Sequence, residues 1–289
     1  MTPAIEHYTT KLSIATAQLA ALYPLDTSDK ISQAIAPWNE LYGFIGFTTL
    51  DSQGEQSFFN HPDTAALIPA TRTAVRECEA AFEIFFARQI IDCADPRAEL
   101  LRFPIHVFYE HTASLEWHAL TAVLGQYPTN VAILGAGALP ETCVWIQDWA
   151  RENKTRVRVH NVELLEDRCE LGRLAVSALG VYSEDTTFEA GDACAIPANL
   201  QPFDAVYFNA TVGVTVEEKE SAIVQVSKRM RNGSVMLVRG SHSVKTLFYP
   251  PTTMTSPALL EVLRPVLTYH MNGEVGKSIN TSIIVSRIV

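Results

Sequence analysis

Residues 131–141, Val-Ala-Ile-Leu-Gly-Ala-Gly-Ala-Leu-Pro-Glu, constrain this chain more than any other stretch. A short apolar run that ends in Gly-x-Gly and passes into a helix is how a nucleotide-binding α/β domain begins. Gly135 and Gly137 permit a tight turn and close approach of the backbone to a ligand, and Leu139 and Pro140 complete the loop. The helix expected over 141–151 then offers free N–H groups and the positive end of its dipole.

The order of the elements beyond the loop strengthens the reading. Residues 156–163 alternate as a second strand and end on Glu163, where a carboxylate about 20–30 residues beyond the glycine loop can accept both ribose hydroxyls of a nucleoside. Residues 187–193 read as a third strand closing on Gly191-Asp192-Ala193, an acid placed to accept from an adenine amino group. Residues 203–210 lose polar alternation, as a strand covered on both faces does. Asn209 stands at its carboxyl end, the edge where open α/β sheets bind ligands. A fifth strand is expected over 233–240, and two more over 262–269 and 282–287 with no helix between them. A parallel sheet closed by a hairpin pair is the plan of the class I S-adenosylmethionine (SAM) dependent methyltransferase-like fold, so SAM is favoured over a nicotinamide cofactor.

The balance of 22 basic and 32 acidic residues, net −10, comes without a basic run. Phosphate binding needs clustered Lys and Arg, so nucleic acid and anionic membrane are not expected partners. No apolar run reaches about 18 residues and no leader pattern is present, which points to the cytoplasm. Five scattered cysteines without a Cys-x-x-Cys pair fit reduced thiols, and no metal site is expected.

Residues 1–125 differ in character from 126–289. Helical periodicity runs over 5–21 and, interrupted by Pro37, over 28–47; residues 51–63 read as a polar loop. Residues 71–91 form a strong helix with Val75, Cys78, Phe82, Phe86 and Ile90 on one face, and an aromatic helix follows Pro104. The expected organisation is an α-helical N-terminal lid or substrate domain (1–125) ahead of a Rossmann-like SAM-binding domain (126–289), the helices supplying one wall of a pocket.

Taken together, several motifs resemble the nicotianamine synthase family: Gly-Ala-Gly-Ala-Leu-Pro at 135–140, Asn-Ala-Thr-Val-Gly at 209–213, Glu217-Glu218-Lys219, and Leu237-Val238-Arg239-Gly240-Ser241-His242 with Lys245, Phe248, Tyr249 and Pro250. Phe103-Pro104, Tyr109, Leu115-Glu116 and the closing stretch from Asn280 extend the likeness over nearly the whole chain. The resemblance implies transfer of the aminocarboxypropyl arm of SAM: an amine attacks the γ-carbon and methylthioadenosine leaves. It implies a base or desolvating pocket for an amine whose ordinary pKa is about 10, and by motif position it places that role on Glu83 and Tyr109, with Arg239 in the SAM site and His242 as the candidate catalytic histidine.

Where the family has Phe-Pro-Tyr-Tyr-x-Asn-Tyr, this chain has Phe103-Pro104-Ile105-His106-Val107-Phe108-Tyr109, an exchange of polar for apolar contacts. A long zwitterionic acceptor fits such a pocket poorly. Three readings remain open: transfer to a smaller amine, cyclisation of SAM to azetidine-2-carboxylate by its own α-amine, and SAM binding without turnover, against which Glu83 and Tyr109 speak. Expected partners are a small-molecule amine or none beyond SAM, and at most a second copy in a homodimer.

Overall fold

In the computed structural model, residues 3–48, 50–182, 184–195, 199–213, 215–249, 251–271 and 281–289 are described. Pro250 and Asn280 of the motifs above lie outside them.

Six helices come first: α1 (Pro3–Leu22), α2 (Ser28–Phe47), α3 (Ser52–Phe59), α4 (Pro62–Asp92), α5 (Pro96–Leu100) and α6 (His106–Leu124). The polar stretch expected to be a loop is therefore helical in part. Asp51 caps α3 by accepting from Gly54 N at 2.7 Å, and such a cap stabilises a helix that its composition alone leaves undecided. Likewise α4 begins at Pro62 rather than Thr71, because proline in the first turn costs no hydrogen bond. Pro69 and Pro37 both lie inside helices, held there by packing: Phe58, Trp38 and Phe82 are almost fully buried in one helical core, and each such burial contributes about 1.5–3 kcal/mol.

The sheet comes after these helices. Its strands are β1 (Asn130–Leu134), β2 (Arg158–Glu163), β3 (Thr186–Ala190), β4 (Ala205–Phe208), β5 (Val235–Ser241), β6 (Leu263–His270) and β7 (Thr281–Ile288), in the order β3-β2-β1-β4-β5-β7-β6. β1 to β5 are parallel, while β7 runs antiparallel to both β5 and β6. This is the expected methyltransferase-like plan, terminal hairpin included.

Four further helices accompany the strands: α7 (Glu141–Glu152), α8 (Glu166–Ala178), α9 (Val216–Ser227) and α10 (Pro257–Leu260). Alternate strand residues serve opposite faces. Val131, Ile133, Tyr207 and Leu237 join Trp117 of α6 and Ile146 of α7 in one core, whereas Ala132, Phe208 and Val238 join Ile223 of α9 in the other. Both faces of β4 are apolar and buried because both are covered.

Chain order reverses between β1 and β4, so their carboxyl ends open onto a crevice. The glycine loop follows β1 and Asn209 follows β4, both at that opening. α4 packs against α8 and α2, which carries the helical layer over the crevice. Among the described residues no helix is long and apolar enough to cross a membrane, and the cysteines described are free thiols.

Candidate active site

A cavity of about 550 Å³ lies where the strand ends meet the helices, within the range of small-molecule sites. Its lower wall is largely backbone. Gly135 (φ +75°) and Gly137 (φ +78°) adopt the left-handed conformation that side chains resist. A side chain at either position would also displace a neighbour: a Cβ at Gly137 would stand 2.5 Å from Glu83 Oε2, and one at Gly135 2.8 Å from Val212 Cγ2. Gly137 N donates to Glu163 Oε2 at 2.9 Å, and Leu165 N to Oε1 at 3.4 Å. The strand-end carboxylate is thus tied to the loop it was expected to complement.

Asn209 Nδ2 donates to Gly135 O at 2.8 Å, while its Oδ1 is buried with no partner among the described residues. Asp192 Oδ1 accepts from Cys194 N at 2.8 Å. Leu139, Pro140, Ala193, Asn209, Asp192 and Glu163 all line the cavity, so the structure gathers the whole set of expected SAM contacts around one space.

The opposite wall is made of long polar side chains. Glu79 and Glu83 are four residues apart on α4 and share a face. Burial pushes each carboxyl up to about 7, with Arg168 opposing the rise at Glu83 and Tyr249 and Lys245 opposing it at Glu79. Glu83 Oε2 accepts from Arg168 Nη2 at 2.7 Å and from Ala138 N at 3.3 Å. The Tyr249 hydroxyl donates to Glu79 Oε1. Lys245, pushed down to about 7 by burial, donates to Thr281 Oγ1 at 2.7 Å.

Arg239 forms a two-pronged pair with Glu116, Nε to Oε1 at 2.7 Å and Nη2 to Oε2 at 2.6 Å, and also reaches Thr142 Oγ1 at 3.1 Å. Its guanidinium lies 5.5 Å from the centroid of the Tyr109 ring. Burial drives the Tyr109 hydroxyl far above its ordinary value, with Arg239 opposing and Glu83 adding to the rise. Tyr109 therefore stays protonated near neutrality, with its hydroxyl as a hydrogen-bond donor at the cavity wall.

His242 does not belong to this gathering. Its ring packs 4.9 Å from that of His270, and its Nδ1 lies 3.4 Å from Ser282 Oγ. Burial, with His270 and Lys245 nearby, pushes it down to about 4 and leaves it neutral. Several cavity groups escape sequence reasoning. Glu79 has a signal, its spacing of four from Glu83. Arg168 and Glu141 have none that a single sequence exposes. Behind the cavity lining, Lys219 of the Glu-Glu-Lys motif is fully buried and donates from Nζ to Arg239 O at 3.0 Å and Ala210 O at 3.3 Å, stapling the ends of β4 and β5 together.

Comparison with known proteins bears on the family and the fold. The family profile described as "Nicotianamine synthase protein" matches residues 56–288. Nicotianamine synthase of Solanum lycopersicum is 26% identical over 212 residues, covering 73% of this chain and 64% of the relative. Nicotianamine synthase 3 of Arabidopsis thaliana is 28% identical over 186 residues, covering 64% and 56%. The chain thus spans less than two thirds of the length of these relatives. Among solved structures, MtNAS in complex with MTA and tNA superposes with a TM-score of 0.74 at 18% identity, covering 98% of each chain. A mutant of MtNAS in complex with S-adenosylmethionine gives 0.71 at 19% identity. At these identities the likeness is one of fold.

Proposed function

Because the chain belongs to the nicotianamine synthase family, we propose that it uses SAM as an aminocarboxypropyl donor, an amine attacking the γ-carbon with loss of methylthioadenosine. The observation that carries this reading is Glu83 set directly against the Gly137 turn, a carboxylate near neutrality at the point where the loop meets the cavity. SAM is already a strong electrophile at the carbons next to sulfur. The protein has to hold one of them in line with a neutral amine and keep the methyl carbon out of line.

In this reading the glycine loop, Glu163, Asp192 and Asn209 hold the nucleoside, and Asn209 Oδ1 is the buried acceptor awaiting a donor. Glu83 takes the ammonium proton. The amine lone pair forms the new C–N bond, the Cγ–S bond breaks, and its electron pair returns to sulfur, leaving a neutral thioether. Tyr109, protonated, shapes the wall and donates a hydrogen bond. Arg239 serves through Tyr109 and Glu116, and His242 has no part. Residues 1–125 act as the lid domain and 126–289 as the SAM domain. The reading also puts the protein in the cytoplasm, acting on small molecules as a single chain or a homodimer.

A second reading, cyclisation of SAM to azetidine-2-carboxylate, draws support from Ile105 and Phe108, which line the cavity where polar acceptor contacts would lie. One assay tests both: incubation with SAM, alone and with a mixture of proteinogenic amino acids, followed by mass spectrometry of the products. Methylthioadenosine is expected when the amines are present. S-adenosylhomocysteine with a methylated product would return the chain to methyl transfer, and azetidine-2-carboxylate formed without an acceptor would decide for cyclisation.

A further inference from the structure

Glu141, the first residue of α7, lines the cavity but has no part in the roles assigned above. Its side chain is 3% exposed. Oε2 lies 2.6 Å from His106 Nδ1, the first residue of α6, whereas Oε1 is buried with no hydrogen-bond partner among the described residues. A carboxylate oxygen can only accept, and a buried one without a donor is unfavourable, so the partner it fits is a donor brought in by a ligand, best of all a cationic one.

The charged groups around the pair are few. Glu110 of α6 faces both residues, Arg97 of α5 faces His106, and Arg239 of β5 faces Glu141. Arg239 is already committed to Glu116 and Thr142. Arg97 is committed to Asp148 through both terminal nitrogens. Neither cation forms a hydrogen bond with Glu141, and burial raises the Glu141 carboxyl above its ordinary value, with His106 opposing the rise.

We propose that Glu141 is a binding site for a primary ammonium group of the substrate, and that His106 is its positioning residue, clamping Oε2 so that Oε1 serves the cavity. This rests on the proposed use of SAM, which brings one such group on its α-carbon; an amine acceptor brings another. A carboxylate in contact with an ammonium favours its charged form. The amine held at Glu141 is therefore withheld from attack, while Glu83 prepares the one that reacts. If the withheld amine is that of SAM itself, the pair steers the enzyme away from self-cyclisation.

Three ligands test this by calorimetry: SAM, its analogue with a hydroxyl in place of the α-amine, and methylthioadenosine, which lacks the arm. Wild type should prefer SAM over the hydroxyl analogue roughly 10- to 100-fold, the range for a hydrogen bond to a charged group. Glu141→Gln should abolish that preference and leave methylthioadenosine affinity unchanged. Should the preference survive while the KM for a mixture of proteinogenic amino acids rises tenfold or more, the ammonium held is the acceptor's. Survival of both, or parallel loss of methylthioadenosine affinity, overturns the site. For His106, the Gln variant keeps a donor to Oε2 and should retain the preference, while the Leu variant should lose it; full preference in His106→Leu overturns the positioning role. A wild type that binds no SAM would instead defeat the proposed function, and this site with it.

Discussion

The two walls of the cavity are held in place by different means. On the sheet side, positions follow from backbone conformation: two left-handed glycines, a strand-end carboxylate that accepts from the Gly137 N–H of the loop, and an asparagine clasping Gly135 O. On the helical side, positions follow from partners distant in the chain. Glu116 and Arg239 are 123 residues apart and Glu79 and Tyr249 170 apart, yet each pair is in contact. The first wall is built from the ends of neighbouring strands and the turns that follow them, which the sheet register brings side by side. The second is a set of charges that only the assembled fold brings together, so losing one member leaves another buried and unpaired.

The largest effect should come from the helical wall. Glu83→Gln is expected to slow turnover roughly 10²–10⁴-fold with SAM binding largely kept, as removal of a positioned base does. Since the Glu83 carboxyl lies near 7 and must be ionised to accept a proton, wild-type turnover should fall about tenfold per pH unit as pH drops below that value, and rise to a plateau above it. A stopped-time assay of methylthioadenosine across pH 5–9 checks both; an active Glu83→Gln enzyme would move the base elsewhere.

Next comes stability. Glu116→Ala leaves the Arg239 guanidinium buried beside Tyr109 without its partner, and should lower unfolding free energy by about 3–5 kcal/mol in a urea titration. A loss under about 1 kcal/mol would mean that water reaches Arg239, and the contrast between the walls would weaken.

On the sheet side the expected losses are smaller. Glu163→Ala should reduce SAM affinity by about 1.5–3 kcal/mol in calorimetry while the fold persists. Unchanged affinity would make Glu163 a brace for the Gly137 turn and nothing more. Smallest is Tyr109→Phe, which removes a hydroxyl that stays protonated. Turnover should fall only about 2- to 10-fold, the scale of one neutral hydrogen bond, and a loss as deep as that of Glu83→Gln would restore Tyr109 to the chemistry.

The same contrast explains what is legible in the chain alone. The glycine loop, the strand-end positions of Glu163 and Asn209 and the closing hairpin all rest on short-range pattern, and each stands where expected. Helix α3 is hidden because Ser, Gln, Gly and Glu do not announce a helix, although Asp51 three residues before Gly54 is a cap in plain view. The start of α4 is hidden because Pro62 and Pro69 look like breakers, while in the fold one opens the helix and the other is carried inside it. The motif assigns His242 to the site, but the residue falls just past the end of β5 and packs into the hairpin with His270 and Ser282 instead. The Glu141 and His106 pair, 35 residues apart at two helix starts, has no periodicity to betray it.

The close approach of Glu83 to Gly137 has a consequence for how this molecule can vary. The space a methyl group would occupy at position 137 is held by a carboxylate oxygen from a helix more than fifty residues away in the chain. Substitutions at the two positions are therefore not independent events: a side chain at 137 has to adopt a left-handed backbone and to push the Glu83 carboxylate off its bonds to Arg168 and Ala138. The cost of changing one position thus depends on what occupies the other, and the pair should depart from additivity in a double-mutant comparison.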